Sequence, residues 1–134
     1  MDFLHTLENM KCNTRHSWTH TGRHESVAEH TFRVCCMAFL LEREFPELDM
    51  NRVLKMCLIH DWGEAVTGDI PSFLKTGGDE ARELDAIHAL TAKLPDREAE
   101  LNALYAEMEA RETPEAKFYK ALDRLEAVIQ HNEA

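Results

Sequence analysis

The chain has 134 residues, 44% of them hydrophobic and 30% charged, with 25 Asp/Glu against 15 Lys/Arg and a formal net charge of −10. That length suits one domain, 1–134, which buries roughly 65–70% of its extended-chain surface and needs no disulfide to hold a core. The composition excludes a disordered or membrane-spanning chain, and the acidity argues against a nucleic-acid polymer as partner, because the surface would repel its phosphates.

The opening residues, Asp2 to Met10, read as a short helix with Phe3, Leu4 and Leu7 on one side. They lack the basic and apolar regions of a secretory signal, so a cytoplasmic protein is expected. Lys11 to Glu25 is polar, His-rich and aperiodic, and reads as an ordered loop. Ser26-Val27-Ala28-Glu29 is a capping box that starts a helix running to about Glu44, before Pro46. Its apolar stripe includes His30, Val34, Met37 and Leu41, which puts His30 on the buried face.

Asp49 can cap the next helix, where Val53, Cys57, His60 and Glu64 share one stripe and Gly63 and Gly68 loosen or end the element. The stretch from Gly68 to Gly78 reads as a loop, broken by Pro71. Leu84, Ile87, Leu90 and Leu94 mark a further helix ended by Pro95, and Leu101, Leu104, Tyr105 and Met108 mark another. Thr113-Pro114 reads as N-cap and N1 of a last helix, with Phe118, Leu122, Leu125 and Ile129 as its core stripe and Asp123 at the stripe's margin. No run of alternating β-branched residues or hairpin dipeptide interrupts this all-α pattern. Cys12, Cys35, Cys36 and Cys57 have no metal-ligand spacing and read as reduced, buried, small apolar residues.

The chemistry concentrates at His60-Asp61, which follows the apolar Met56-Cys57-Leu58-Ile59. A lone buried carboxylate is too costly to persist ionised. Either an Arg/Lys or metal cation pairs with Asp61, or the helix surfaces there. His30 alone could be a core histidine, and Asp123 alone a solvated residue beside Lys120 and Arg124. Together, two neutral imidazoles and two carboxylates carry −2, which a divalent metal cancels. Mixed N/O ligation suits Mn, Fe or Co, with Mg or Zn less favoured.

Four segments, Glu25-Ser26-Val27-Ala28-Glu29-His30, Cys57-Leu58-Ile59-His60-Asp61-Trp62-Gly63-Glu64-Ala65, Gly68-Asp69-Ile70-Pro71 and Lys120-Ala121-Leu122-Asp123-Arg124-Leu125-Glu126, resemble the HD-domain phosphohydrolases, and most closely their 5′-deoxynucleotidase branch. The resemblance implies a helical bundle of about six helices, lacking a C-terminal helical segment usual in the family. It implies that His30, His60, Asp61 and Asp123 bind one divalent metal ion, and that Glu64 and Asp69 are the catalytic carboxylates beside a metal-bound water. It implies that Arg15, fifteen residues before His30, contacts phosphate. The branch often has Trp directly after this Arg; here His16 follows and Trp18 comes later, facing the base or sugar. The implied reaction is hydrolysis of the phosphomonoester of a nucleoside 5′-monophosphate, foremost a deoxynucleotide. The rivals are a hydrolase of another small phosphate ester or phosphodiester, and a catalytically silent nucleotide-binding module. Family habit and an exposed Phe3, Leu4 and Leu7 stripe both point to a homodimer.

Overall fold

A computed structural model of the chain describes residues 2–67 and 77–134. Two short helices, α1 (Asp2–Leu7) and α2 (Asn9–Cys12), lead into strands β1 (Thr14–Trp18) and β2 (His24–Ser26). Then follow α3 (Val27–Leu41), a 3₁₀ turn at Glu42–Glu44, α4 (Met50–Ile59) and the short α5 (Glu64–Thr67). The chain continues with α6 (Gly77–Thr91), α7 (Glu98–Ala110) and α8 (Pro114–Glu133). The architecture is helical, as expected. No helix among the described residues is long and apolar enough to cross a membrane.

The helices begin where their capping chemistry directs. Ser26 Oγ accepts from the Glu29 N–H at 3.2 Å while Glu29 Oε1 accepts from the Ser26 N–H at 2.7 Å, which closes the capping box of α3. Asp49 accepts from the Arg52 N–H at the head of α4. Thr113 accepts from the Ala116 N–H at the head of α8, with Pro114 at its first position. α3, α4 and α8 pack on one another pairwise. Their apolar faces, joined by α7, enclose a core that includes Val34, Val53, Met56, Cys57, Leu104 and Leu122.

Five expectations are corrected. The segment from Lys11 to Glu25 is not a loop throughout: β1 and β2 pair antiparallel, with Thr14 opposite Ser26, Trp18 opposite His24, and an irregular register between them. Gly22, at φ +89°, makes the reversal, and α8 supports the ribbon through Gln130 Nε2, which donates to the Trp18 carbonyl at 2.8 Å. A two-stranded ribbon is marginal alone, so this tertiary support decides what local propensity did not.

The opening helix is broken at Glu8, and Phe3 is buried edge-on against Trp62, with centroids 4.9 Å apart, rather than exposed. α4 stops at Ile59, so His60 to Gly63 form a turn before α5 begins at Glu64. Of the cysteines only Cys57 is buried; Cys35 and Cys36 are half-buried and Cys12 is exposed.

The fifth correction concerns α8. Leu125 (47% exposed) and Ile129 (37%) face outward, while Glu126 and Gln130 turn inward with Ala116, Tyr119 and Leu122. The reason is polar. Arg33 of α3 donates from Nε to Glu126 Oε2 at 2.7 Å and from a terminal nitrogen to Gln130 Oε1 at 2.8 Å. These bonds satisfy buried groups and fix the rotation of α8 about its axis.

Candidate metal centre and its cleft

His30 lies one turn inside α3, fully buried. His60 follows the last residue of α4, and Asp61 sits in the turn after it. Asp123 lies midway along α8. These four sequence-predicted residues converge. His30 Nε2 is 2.7 Å from Asp123 Oδ1 and 4.0 Å from Asp61 Oδ2. His60 Nε2 is 2.9 Å from Asp61 Oδ2 and 3.2 Å from Asp123 Oδ1.

The outer nitrogens explain what the inner ones can do. His60 Nδ1 donates to the Cys57 carbonyl at 2.6 Å. His30 Nδ1 faces Glu126 Oε1 at 2.5 Å, and a carboxylate there accepts a proton-bearing Nδ1. With Nδ1 protonated, a neutral imidazole presents a lone pair at Nε2. Two such lone pairs and two carboxylates then point at one another. His60 Nε2 and Asp61 Oδ2 are both buried without a hydrogen-bond partner. Positive charge must sit among these acceptors, as protons on the imidazoles or as a metal cation, and the mixed N/O donor set fits the latter.

The proton affinities carry the same message. Burial pulls His30 down, but its hydrogen bonds with Asp123 and Glu126 outweigh that and raise it above the ordinary imidazole value. Burial likewise lowers His60, and the charges and hydrogen bonds of Asp61 and Asp123 lift it well above. Burial pushes Asp61 up, and the charge of His60 more than reverses this. Burial also pushes Asp123 up, and hydrogen bonds from His30 and His60 hold it far below the usual carboxylate range. Each acid is held ionised and each imidazole attracts a cation's charge.

A cleft of about 220 Å³ opens beside this cluster, lined by His60, Asp61, Glu64 and Asp123 on one side and by Tyr105, Tyr119, Arg111 and Lys120 among others. Glu64, a predicted catalytic residue, is buried and on the cleft wall, four residues after His60 although a turn separates them. Lys120 Nζ donates to Asp123 Oδ2 at 3.0 Å. Arg15 approaches from β1: a terminal nitrogen is 3.8 Å from Asp61 Oδ2, and Nε is 3.3 Å from Glu25 Oε1. Trp18 is not brought to this cleft; it is 46% exposed, its ring 3.6 Å from that of His24. Asp69 lies outside the described residues.

Sequence reasoning passed over three residues. Glu25 and Glu126 are both buried and flank His30, close enough that the three could share an ion. Tyr119 packs edge-on against His60 with centroids 5.7 Å apart. The spacing held a signal for Glu126: it stands three residues after Asp123 and therefore on the same side of α8.

A family model described as an HD domain matches residues 7–134. The 5′-deoxynucleotidase HDDC2 of Bos taurus is 33% identical over 138 aligned residues, covering 99% of this chain and 66% of that protein. A 5′-deoxynucleotidase of Schizosaccharomyces pombe is 31% identical, covering 96% of this chain and 68% of its own length. The solved structure of a predicted metal-dependent phosphohydrolase from Magnetospirillum magnetotacticum superposes with a TM-score of 0.87 at 37% identity, covering 99% of this chain and 69% of that one. The chain thus spans about two thirds of the length of these relatives.

Proposed function

Because this chain belongs to the HD-domain family, we propose that it is a metal-dependent phosphohydrolase that cleaves the phosphomonoester of nucleoside 5′-monophosphates, foremost deoxynucleotides. The observation that carries the reading is the meeting of four acceptor groups, from His30, His60, Asp61 and Asp123, with two of their atoms buried and unsatisfied. The names of the 5′-deoxynucleotidase relatives support the substrate class. The N/O donor set favours Mn, Co or Fe.

In this reading the four residues hold one divalent cation, which when bound supplies Lewis acidity and lowers the pKa of a water from about 15.7 to about 7. The remaining chemistry belongs to the chain. Arg15 and Lys120 flank the cluster from β1 and α8 and neutralise the phosphate oxygens, Arg15 in a bidentate contact. Glu64, on the cleft wall, orients the attacking water. As the P–O5′ bond breaks and the water oxygen bonds to phosphorus, the water's proton passes through Glu64 or Asp69 to the departing 5′-oxygen. Tyr105 and Tyr119 give the cleft a partly apolar wall for the nucleoside.

The test is Asp61→Ala. Elemental analysis should find the metal lost and phosphate release from dAMP lost with it; full activity in the variant would overturn the assignment. A panel of ribo- and deoxyribonucleoside monophosphates, cyclic nucleotides and triphosphates, scored for released phosphate, tests the substrate class. The reading includes a homodimer, for which Phe32, Phe39 and Leu40 of α3 and Leu125 and Val128 of α8 offer exposed apolar area. Sedimentation velocity tests it.

A further inference from the structure

We infer that Glu126 is a positioning residue, which locks His30 in the tautomer whose Nε2 lone pair faces the metal centre; the inference rests on the functional reading above. Glu126 has no exposed surface and spends both oxygens on neighbours. Oε1 stands 2.5 Å from His30 Nδ1, and Oε2 accepts from Arg33 Nε at 2.7 Å. Arg33 in turn donates to Gln130 Oε1, and Gln130 donates to the carbonyl of Trp18 on β1, the strand that carries Arg15. A chain of hydrogen bonds, buried at His30, Glu126 and Gln130 and part-exposed at Arg33, therefore runs from the imidazole of α3 across α8 to the ribbon.

The chemistry of the chain admits one arrangement. Arg33 has donors only, so it needs an acceptor at Oε2. His30 Nδ1 must bear its proton if Nε2 is to offer a lone pair, so it needs an acceptor at Oε1. A carboxylate serves both donors and an amide cannot. In Glu126→Gln the carbonyl oxygen can meet Arg33 or His30, but not both. If it meets Arg33, the amide NH₂ points at Nδ1, draws out a lone pair there, and moves the imidazole proton to Nε2, where it opposes a metal. Partners behind a histidine ligand are worth roughly 10–100-fold in metal affinity.

The experiment measures Mn²⁺ affinity by calorimetry in the full chain, for wild type, Glu126→Gln, and the double variant Glu126→Gln with Arg33→Met. Circular dichroism confirms that each is folded. Glu126→Gln should bind Mn²⁺ roughly 10–100-fold more weakly. Removing the donor of Arg33 frees the amide carbonyl to face His30, so the double variant should recover most of that loss, which a merely structural role would not produce. In zinc-loaded protein the hydrogen-bonded Nδ1–H signal of His30 should be present in wild type and absent in Glu126→Gln. Wild-type affinity in Glu126→Gln, or a double variant no tighter than the single one, would overturn the inference alone. A wild type that binds no divalent metal would overturn the functional reading and this inference with it.

Discussion

His60 and Asp61 are adjacent in the chain, yet Nε2 of one lies 2.9 Å from Oδ2 of the other, and both aim at the same point. Neighbours within a regular helix diverge by about 100° and do not face each other. The helix ends at Ile59, and that end releases the pair into a turn where both side chains can converge. The point they share is closed from the far side by His30 and Asp123, so the site depends on where α4 stops as much as on which residues it carries.

Glu64 separates catalysis from metal holding. It lines the cleft without belonging to the four-residue cluster. Glu64→Gln should retain Mn²⁺ affinity within a few-fold by calorimetry while lowering kcat by about 10²–10⁴, the usual contribution of a positioned acid or base. Unchanged kcat would remove Glu64 from the mechanism.

Protons and metal compete for the same imidazoles. With no metal, His30 and His60 are both held above their ordinary value, so their contribution to stability is complete below about pH 6.5 and is lost as pH rises through the raised values. Metal binding requires the deprotonated imidazole and runs the opposite way, gaining affinity as pH rises. The melting-temperature increase produced by saturating Mn²⁺ should therefore be larger at pH 8 than at pH 6. An increase that shrinks with rising pH would contradict imidazole ligation.

Glu25 steadies Arg15. Its carboxylate is buried and forms an ion pair with Arg15, Oε1 lying 3.3 Å from Nε, while a terminal nitrogen of the same guanidinium stands 3.8 Å from Asp61 Oδ2. Glu25→Gln should raise KM for a nucleoside monophosphate by about 10-fold, the equivalent of about 1.4 kcal/mol, with a smaller change in kcat. Steady-state kinetics checks the split; an effect confined to kcat would place Glu25 elsewhere in the mechanism.

Tyr105 pins the end of α4. Its hydroxyl donates to the Ile59 carbonyl at 2.6 Å, beside the Trp62 N–H that donates to the same oxygen at 3.1 Å. Tyr105→Phe removes one of the two bonds to that oxygen and should destabilise the fold by about 0.5–1.5 kcal/mol in urea denaturation. Stability equal to wild type would mean that the Trp62 N–H alone suffices to hold this end of α4.

Much of the site was legible in the residues. The capping box at Ser26 sets the start of α3 and so the phase that buries His30. The placing of His60-Asp61 after an apolar run marks a buried charge that needs a partner. These are local signals, because a cap and a helical period are read within a few residues. The inward turn of Glu126 and Gln130, the exposure of Leu125 and Ile129, and the pairing of β1 with β2 were decided only in three dimensions. Their partners stand about a hundred residues away: Arg33 for Glu126, and Trp18 for Gln130. A buried polar group is stable only with its partner in place, and no local pattern in a sequence states which distant residue that partner will be.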